Sequence, residues 1–300
     1  MPLVECVPNF SEGRDAATVD TIVAAIASAG AAILHRTSDP DHNRSVVTFA
    51  APPEIVGEAA FRGVRRAVEL IDLRRHHGVH PRIGAADVVP FVPLRGITLE
   101  DCARIAVATG ERIWHELHVP VYLYEAAARR QQCRNLADVR RGQFEKLLRE
   151  AVENPERAPD IGGPALHPTA GAAVVGARKF LIAFNVNLDT ADAANARAIA
   201  RAIRASSGGL PCLKAMGVRL ESRGISQVSM NLTDFEQTPP HRALEAVRAE
   251  AEKYGVAIIG TEFIGLVPRK ALEMAAGYYL RAANFGLGTV LENRLEEAKI

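Results

Sequence analysis

The 300-residue sequence has few cysteines and aromatic residues, and it has no excess of either charge sign. Its cysteines form no CxxC pair and show no zinc-like spacing, which is typical of a protein from a reducing compartment and indicates no metal site. The 36 Lys and Arg residues are matched by 35 Asp and Glu residues. This balance argues against a general binder of nucleic acids or of membrane surfaces, because both need a basic excess.

The sequence also lacks long hydrophobic runs and an export signal. Its first residues show no basic region followed by a long apolar run, and its longest apolar runs have only the length of a strand. Residues 162–171 contain neither GxGxxG nor GxxxxGK[ST], so we expect no nucleotide phosphate loop there. We therefore expect a cytoplasmic protein with no nucleic-acid partner and no membrane partner.

Hydrophobic periodicity predicts the element order β-α-β-β-α-β twice along the chain. In the first half the expected strands are 3–7, 32–36, 45–50 and 88–92, and a further helix begins at Thr98 and leads to a strand at 119–124. In the second half they are 179–188, 212–220, 225–232 and 256–263. We predict an α+β fold of two ferredoxin-like subdomains, 1–177 and 178–300, which form an α/β sandwich with an intersubdomain cleft.

The polar stretch 126–159 is predicted to be mostly helical. It contains several arginines but no aromatic residues interleaved with them, a pattern that does not favour binding of single-stranded nucleic acid. We interpret it as a solvated connecting segment.

Three histidines lie within five residues, in a loop that Gly78 and Pro81 prevent from being helical. Histidine can take and give a proton near neutral pH, so the loop is a candidate for acid/base chemistry. His80 is the best candidate because its position before Pro81 restricts its backbone. His76 and His80 have the spacing of a helical metal site, but the loop is not helical. Simple solvation is the favoured alternative for His76 and His77.

Two strands carry polar residues on one face, with Asn185 and Asn187 in one and Gln227, Ser229 and Asn231 in the other. These amides either face water or line a polar cleft, because buried amides need partners. The turn at 38–44 is also polar. Turn chemistry explains its Asp, Pro and Asn residues but not Arg44, which is suited to binding a substrate carboxylate.

The chain resembles the glutamate formiminotransferase family, the formiminotransferase domain of formiminotransferase-cyclodeaminases. The stretches that carry the resemblance are LVECVPNFSEG at 3–13, HPRIGAADV at 80–88, VPVYLY at 119–124, GARKFLIAFNVNL at 176–188 and GLVP at 265–268. The resemblance implies two ferredoxin-like subdomains with a ligand tunnel, usually in a homodimer. It also implies transfer of the formimino group from N-formimino-L-glutamate to N5 of tetrahydrofolate, a co-substrate, in histidine degradation and without a metal.

The resemblance places the family's catalytic histidine on His80. It places the folate-contacting segment on Gly162, Gly163, Pro164, Ala165, Leu166, His167, Pro168, Thr169, Ala170 and Gly171. Within this segment the chain differs from animal members at Ala165, Leu166, His167 and Ala170.

Both substrates carry carboxylates, so we expect cationic side chains to bind them, with Arg178 or Lys179 as further candidates. The predicted substrate-binding residues are Asp39, Arg44, Arg82, Asn185, Asn187 and Asn231. Two alternatives remain open, which are formyl transfer between glutamate and folate and a folate-binding protein without catalysis.

Overall fold

A computed structural model describes residues 1–282, 285 and 289–298. The chain divides into two compact units, Met1–Lys179 and Phe180–Ile300, and each is described by itself. Residues 283–284, 286–288 and 299–300 of the predicted C-terminal subdomain lie outside the described residues. No helix in the described ranges is long and apolar enough to cross a membrane.

The first unit is a mixed sheet with helices. Its strands are β1 (Leu3–Cys6), β2 (Asn9–Phe10), β3 (Ala32–Asp39), β4 (Arg44–Ala51), β5 (Ala86–Arg95), β6 (Val121–Glu125) and β7 (Ala173–Ala177). Its helices are α1 (Ala16–Ala27), α2 (Pro53–Leu70), α3 (Leu99–Leu117), α4 (Leu136–Val139) and α5 (Gln143–Glu153). β1 and β2 both pair with β4 and β5, so they act as two pieces of one interrupted strand. β7 pairs in parallel with β5 and β6, which extends the sheet beyond the predicted strands.

Local sequence signals explain where the long helices begin. Asp15 accepts from Ala17 N at the start of α1, and Thr98 forms a capping box with Asp101 at the start of α3. Pro53 is the first residue of α2, where its missing N–H has no cost. Val4 and Cys6 belong to the apolar core, and the alternation of a strand therefore puts Glu5 on the other face of the sheet.

The structure corrects two sequence-based interpretations in this unit. The sequence does not predict β7, because its five small apolar residues follow a Gly/Pro-rich stretch and show no alternating pattern. This lack of alternation is usual for a parallel strand that is covered on both faces. The stretch 126–159 is not simply a solvated connection. α5 buries Phe144, Leu147 and Ala151, so this helix packs against the unit with one face.

The second unit has one antiparallel sheet with the strand order β11-β8-β10-β9. Its strands are β8 (Ile182–Leu188), β9 (Leu213–Leu220), β10 (Ile225–Leu232) and β11 (Ile258–Ile264). The helices described in it are α6 (Ala193–Ile203), α7 (Pro240–Lys253), α8 (Arg269–Leu280) and α9 (Leu291–Ala298). β8 begins at Ile182, three residues later than predicted, because Lys179–Leu181 makes no ladder pairing. Phe184 and Val186 belong to the apolar core, whereas Asn185 and Asn187 lie on the opposite face.

Candidate active site

The histidine loop is held against the turn between β3 and β4. Val79 N donates to Asp41 O at 3.1 Å, and Asn43 Nδ2 donates to His77 O at 3.1 Å. A Cβ on Gly78 would lie 2.3 Å from His42 O, so only glycine permits this approach. The histidine loop and the turn between β3 and β4 therefore form one structure.

His80 is fixed in one tautomer by its own loop. Its Nδ1 lies 2.8 Å from the carbonyl oxygen of Pro81. A carbonyl oxygen can only accept, so Nδ1 carries the proton and Nε2 keeps its lone pair in the neutral ring. Nε2 makes no hydrogen bond to any residue in the described part of the chain, which leaves it available to accept a substrate proton.

The surroundings of His80 keep its ring neutral. Burial lowers the pKa of His80 well below its usual 6.5, and the positive charges of Arg44 and Arg140 and the neighbouring His42 lower it further. The His42 and His80 ring centroids are 5.7 Å apart. At neutral pH the ring is thus a base with an open lone pair.

Beside His80 lies a buried ion cluster that consists of Arg44, Asp87 and Arg140. Arg44 Nη1 lies 2.7 Å from Asp87 Oδ2, and Arg140 donates to the same oxygen. Asp87 Oδ1 accepts from Ile83 N at 2.8 Å. Burial alone would raise the pKa of Asp87, but Arg140 and Arg44 outweigh it and lower that pKa. Burial lowers the pKa of Arg44 to about 10. Asp87 is therefore a carboxylate at neutral pH.

Arg82 and His76 form a second cluster that fixes the loop. Arg82 Nε donates to His76 Nδ1 at 3.0 Å, and its two terminal nitrogens lie 2.9 and 2.6 Å from the carboxylate oxygens of Glu145 in α5. His76 Nε2 lies 2.8 Å from Asn43 O. Both nitrogens of His76 are thus engaged, and burial lowers its pKa. The prediction that Arg82 binds substrate is not tested by this geometry and stays a prediction.

Residues 162–171 end beside the ion cluster. Ala85 N donates to Ala170 O at 2.9 Å. Gly171 forms isolated β-bridges with Gly84 and with His167. Residues 162–165 are exposed, and Gly162 lies against the ring of Trp114. His167 Nδ1 accepts from Ala170 N at 3.0 Å, and burial lowers the pKa of this ring. The predicted folate segment is thus a formed loop that reaches β5 close to Ile83 and Asp87.

The other predicted residues are distributed over both units. Asp39 accepts from His42 N at 2.8 Å in the turn of the first unit. In the second unit the register puts Asn187 opposite Gln227 and Asn185 opposite Ser229, so the two polar rows lie side by side. Gln227 Nε2 donates to Asn187 Oδ1 at 2.9 Å. Asn231 is exposed at the end of the same face.

Sequence reasoning missed the roles of Asp87, Arg140 and Glu5. Asp87 and Glu5 each interrupt an apolar strand, and a charge in such a run was the available signal. Glu5 is 4% exposed, and burial raises its pKa to about 6 against the lowering effect of Arg178. Arg140 gave no local signal, because its partner lies 53 positions away. In the ranges that the structure describes, no group of three His, Cys, Asp or Glu side chains could hold a metal ion.

Comparison with known proteins assigns the chain to a family. The pattern of the formiminotransferase domain, N-terminal subdomain, matches residues 3–178, and that of the formiminotransferase domain matches residues 183–295. The chain is 48% identical over 295 residues to a glutamate formimidoyltransferase of Streptococcus pyogenes serotype M1, covering 98% of each chain. It is 47% identical over 300 residues to a glutamate formimidoyltransferase of Thermoplasma acidophilum, covering 99% of each.

A third relative is longer than this chain. The formimidoyltransferase-cyclodeaminase of Sus scrofa is 44% identical over 292 residues, which are 95% of this chain and 54% of the relative. The two domain patterns follow each other in order, and the 47–48% identity extends over nearly the whole of this chain and of two relatives, so this chain belongs to the formiminotransferase family.

Proposed function

We propose that this protein transfers the formimino group from N-formimino-L-glutamate to N5 of tetrahydrofolate and releases L-glutamate. The observation that carries the proposal is the neutral His80 ring with an open Nε2, in a chain that is 48% identical to a glutamate formimidoyltransferase. Tetrahydrofolate supplies the attacking secondary amine. The attacking nitrogen must lose a proton and the departing nitrogen must gain one, and an imidazole can accept the first and return the second in turn.

His80 carries the proton transfers in this mechanism. As the N5–C bond forms, His80 Nε2 takes the N5 proton, and the positive ring that results keeps its Nδ1–H bond to Pro81 O. His80 then gives this proton to the glutamate nitrogen as the C–N bond of the donor breaks. Because Arg44 and Arg140 disfavour the positive ring, the return of the proton is favourable.

The loop at 162–171 suits a flat ligand, which supports its assignment as the folate segment. Its first residues are exposed and contain two glycines with positive φ, 75° at Gly162 and 86° at Gly163. Trp114 and Pro159 lie on the side where a Cβ would project, and neither glycine carries a side chain of its own that would hinder a ligand. We propose that the substrates are bound by the predicted polar residues, which are Asp39, Arg44, Arg82, Asn185, Asn187 and Asn231, with the arginines binding their carboxylates. Positioning of two substrates supplies a further part of the acceleration.

We also propose that the two formiminotransferase subdomains, 1–177 and 178–300, are both ferredoxin-like. The order β11-β8-β10-β9 supports this for the second unit. In this order each pair of strands that a helix connects is separated by one antiparallel strand, as in a ferredoxin-like fold. The order β3-β4-β1-β5 supports it for the first. We further propose that the protein forms a homodimer and is located in the cytoplasm.

The test is a steady-state assay of the purified protein with N-formimino-L-glutamate and tetrahydrofolate. We expect release of L-glutamate that requires tetrahydrofolate. Parallel assays with N-formyl-L-glutamate and without a donor distinguish formyl transfer and binding without catalysis. Glutamate release from the formyl donor alone would contradict the proposal, as would folate binding without any release.

A further inference from the structure

The Arg44–Asp87–Arg140 cluster carries one more positive charge than negative charge. Two guanidinium groups share Asp87 Oδ2, and no further carboxylate contacts either guanidinium among the described residues. The side chains of Arg44 and Arg140 are only 8% and 12% exposed, and that of Asp87 is fully buried. A buried excess charge is unfavourable unless something compensates it.

The same cluster has unused hydrogen-bond donors. Arg140 Nε is buried and has no partner in the part of the chain that the structure describes. Arg44 donates to Asn9 Oδ1 at 3.2 Å and to Asp87, which uses two of its five N–H groups. A buried N–H without an acceptor is destabilising, so the cluster is incomplete without an anion.

The position of the cluster links it to the proposed reaction. Ile83, three residues after His80, donates its N–H to Asp87 Oδ1 at 2.8 Å, so the cluster lies at the end of the loop that carries His80. The positive charges of Arg44 and Arg140 also lower the pKa of His80. Guanidinium groups bind carboxylates in a forked geometry, and both substrates of the proposed reaction carry carboxylates.

We propose that the unused N–H groups of Arg44 and Arg140 bind one substrate carboxylate beside His80, and that Arg140 determines specificity for that carboxylate. This inference rests on the proposed function for the identity of the substrates. The carboxylate belongs either to the glutamate of the formimino donor or to the glutamate tail of tetrahydrofolate. Both present the same chemistry, so the experiment distinguishes them.

The test compares Arg140→Gln with Arg141→Gln as a matched control. Arg141 is the next residue, is 76% exposed and pairs with Asp138 at the surface. Equilibrium binding of L-glutamate, tetrahydrofolate and tetrahydropteroate is measured without turnover, by calorimetry or fluorescence. The result is therefore independent of whether the protein catalyses the proposed transfer.

We expect Arg140→Gln to weaken binding of one carboxylate ligand at least ten-fold, with Arg141→Gln close to the wild type. Weaker binding of L-glutamate assigns the site to the donor. Weaker binding of tetrahydrofolate but not of tetrahydropteroate, which lacks the glutamate tail, assigns it to the tail. Arg140→Lys should recover part of the loss, because it keeps the charge and one donor. Equal binding of all three ligands by the two glutamine variants overturns the proposal.

A second measurement avoids variants and covers the case in which Arg140→Gln fails to fold. Wild-type protein is titrated with L-glutamate, L-glutamine and L-isoglutamine, and with tetrahydrofolate and tetrahydropteroate. Loss of either glutamate carboxylate, or of the folate tail, should reduce affinity at least ten-fold. If none of these replacements changes affinity, the cluster binds neither a carboxylate of the glutamate donor nor the glutamate tail of tetrahydrofolate, and the proposal is wrong.

Discussion

His80 Nδ1 lies 2.8 Å from Pro81 O, so the loop that carries the ring also sets its tautomer. Replacing His80 with Ala removes the proposed proton acceptor. We expect kcat to fall by about 10²–10⁴-fold, the usual contribution of general acid/base catalysis, with little change in tetrahydrofolate affinity. The measurement is steady-state turnover together with equilibrium folate binding.

His77→Ala is the control for this prediction, because His77 lies in the same loop with an exposed side chain and contributes only its backbone carbonyl to Asn43. It should keep wild-type turnover. Equal activity of His80→Ala and His77→Ala would remove His80 from the mechanism.

The pKa of His80 predicts the acid limb of the pH profile. Because burial, Arg44 and Arg140 lower this pKa well below 6.5, the ring stays an unprotonated base in buffers in which an ordinary histidine becomes protonated. We expect kcat/KM to hold from pH 7 to pH 6 and to fall only in more acidic buffer, as protonation removes the Nε2 lone pair. The check is the pH dependence of kcat/KM together with an NMR titration of labelled histidine. An acid limb centred at pH 6.5 or above argues against the neutral ring.

Replacing Glu5 with Gln should increase stability in a pH-dependent way. Burial raises its pKa from 4.5 to about 6, so ionised Glu5 opposes folding above pH 6 and has no such effect below pH 4.5. The shift corresponds to about 2 kcal/mol. Glu5→Gln should therefore raise the free energy of unfolding by about this amount at pH 7.5 relative to its effect at pH 4.5.

Urea unfolding at both pH values measures this gain, with Glu54→Gln, at an exposed position on the first turn of α2, as the control. A gain of the same size at both pH values would show that ionisation of Glu5 is not the cause.

Removal of Arg82 should destabilise the protein more than removal of its ion-pair partner Glu145. Glu145 is 62% exposed, so Glu145→Gln should cost about 1 kcal/mol or less. Arg82→Met also leaves buried His76 without its donor, and we expect a cost of about 2–3 kcal/mol. Urea unfolding of both single variants and the double variant measures each cost and their coupling. Similar costs for the two single variants would contradict the role of His76.

Gly171, in the proposed folate segment, lies where the structure leaves no room for a side chain. Its φ is +68°, and a Cβ there would lie 2.0 Å from Ile83 O. Gly171→Ala must therefore displace the backbone that connects the segment to β5, and we expect loss of both stability and folate affinity. Gly208 is the control, with φ +86° and open space, so Gly208→Ala should cost only about 1–2 kcal/mol and leave folate binding unchanged. Thermal unfolding and folate titration measure both effects, and equal results for the two variants contradict the steric argument.

Local patterns in the sequence predict much of this fold. The capping box at Thr98, the hairpin of β9 and β10 and the polar row of β8 all follow from residues close together in the chain. Such features need only the period of a helix or strand and the chemistry of a turn. The hydrogen bond between Asn187 and Gln227 shows that the two polar rows lie side by side on one face of the sheet, which the sequence did not predict.

The surroundings of His80 could not be predicted in this way. Arg140 and Glu145 lie more than ten residues after β6. They nevertheless contact Asp87 and Arg82, which precede β6 in the sequence. No period or spacing rule connects residues 53 or 63 positions apart, and only tertiary packing brings them together. The prediction of His80 itself relied on local features, namely three imidazoles and a stiff proline.

The segment between β6 and β7, residues 126–172, has a consequence for protein engineering. It supplies Arg140 to one cluster, Glu145 to another and the 162–171 loop to the edge of β5, although most of its length looks like dispensable surface. Deleting this segment to shorten the protein would remove three contacts that surround the proposed reaction centre. A minimised version of this enzyme must therefore be shortened elsewhere.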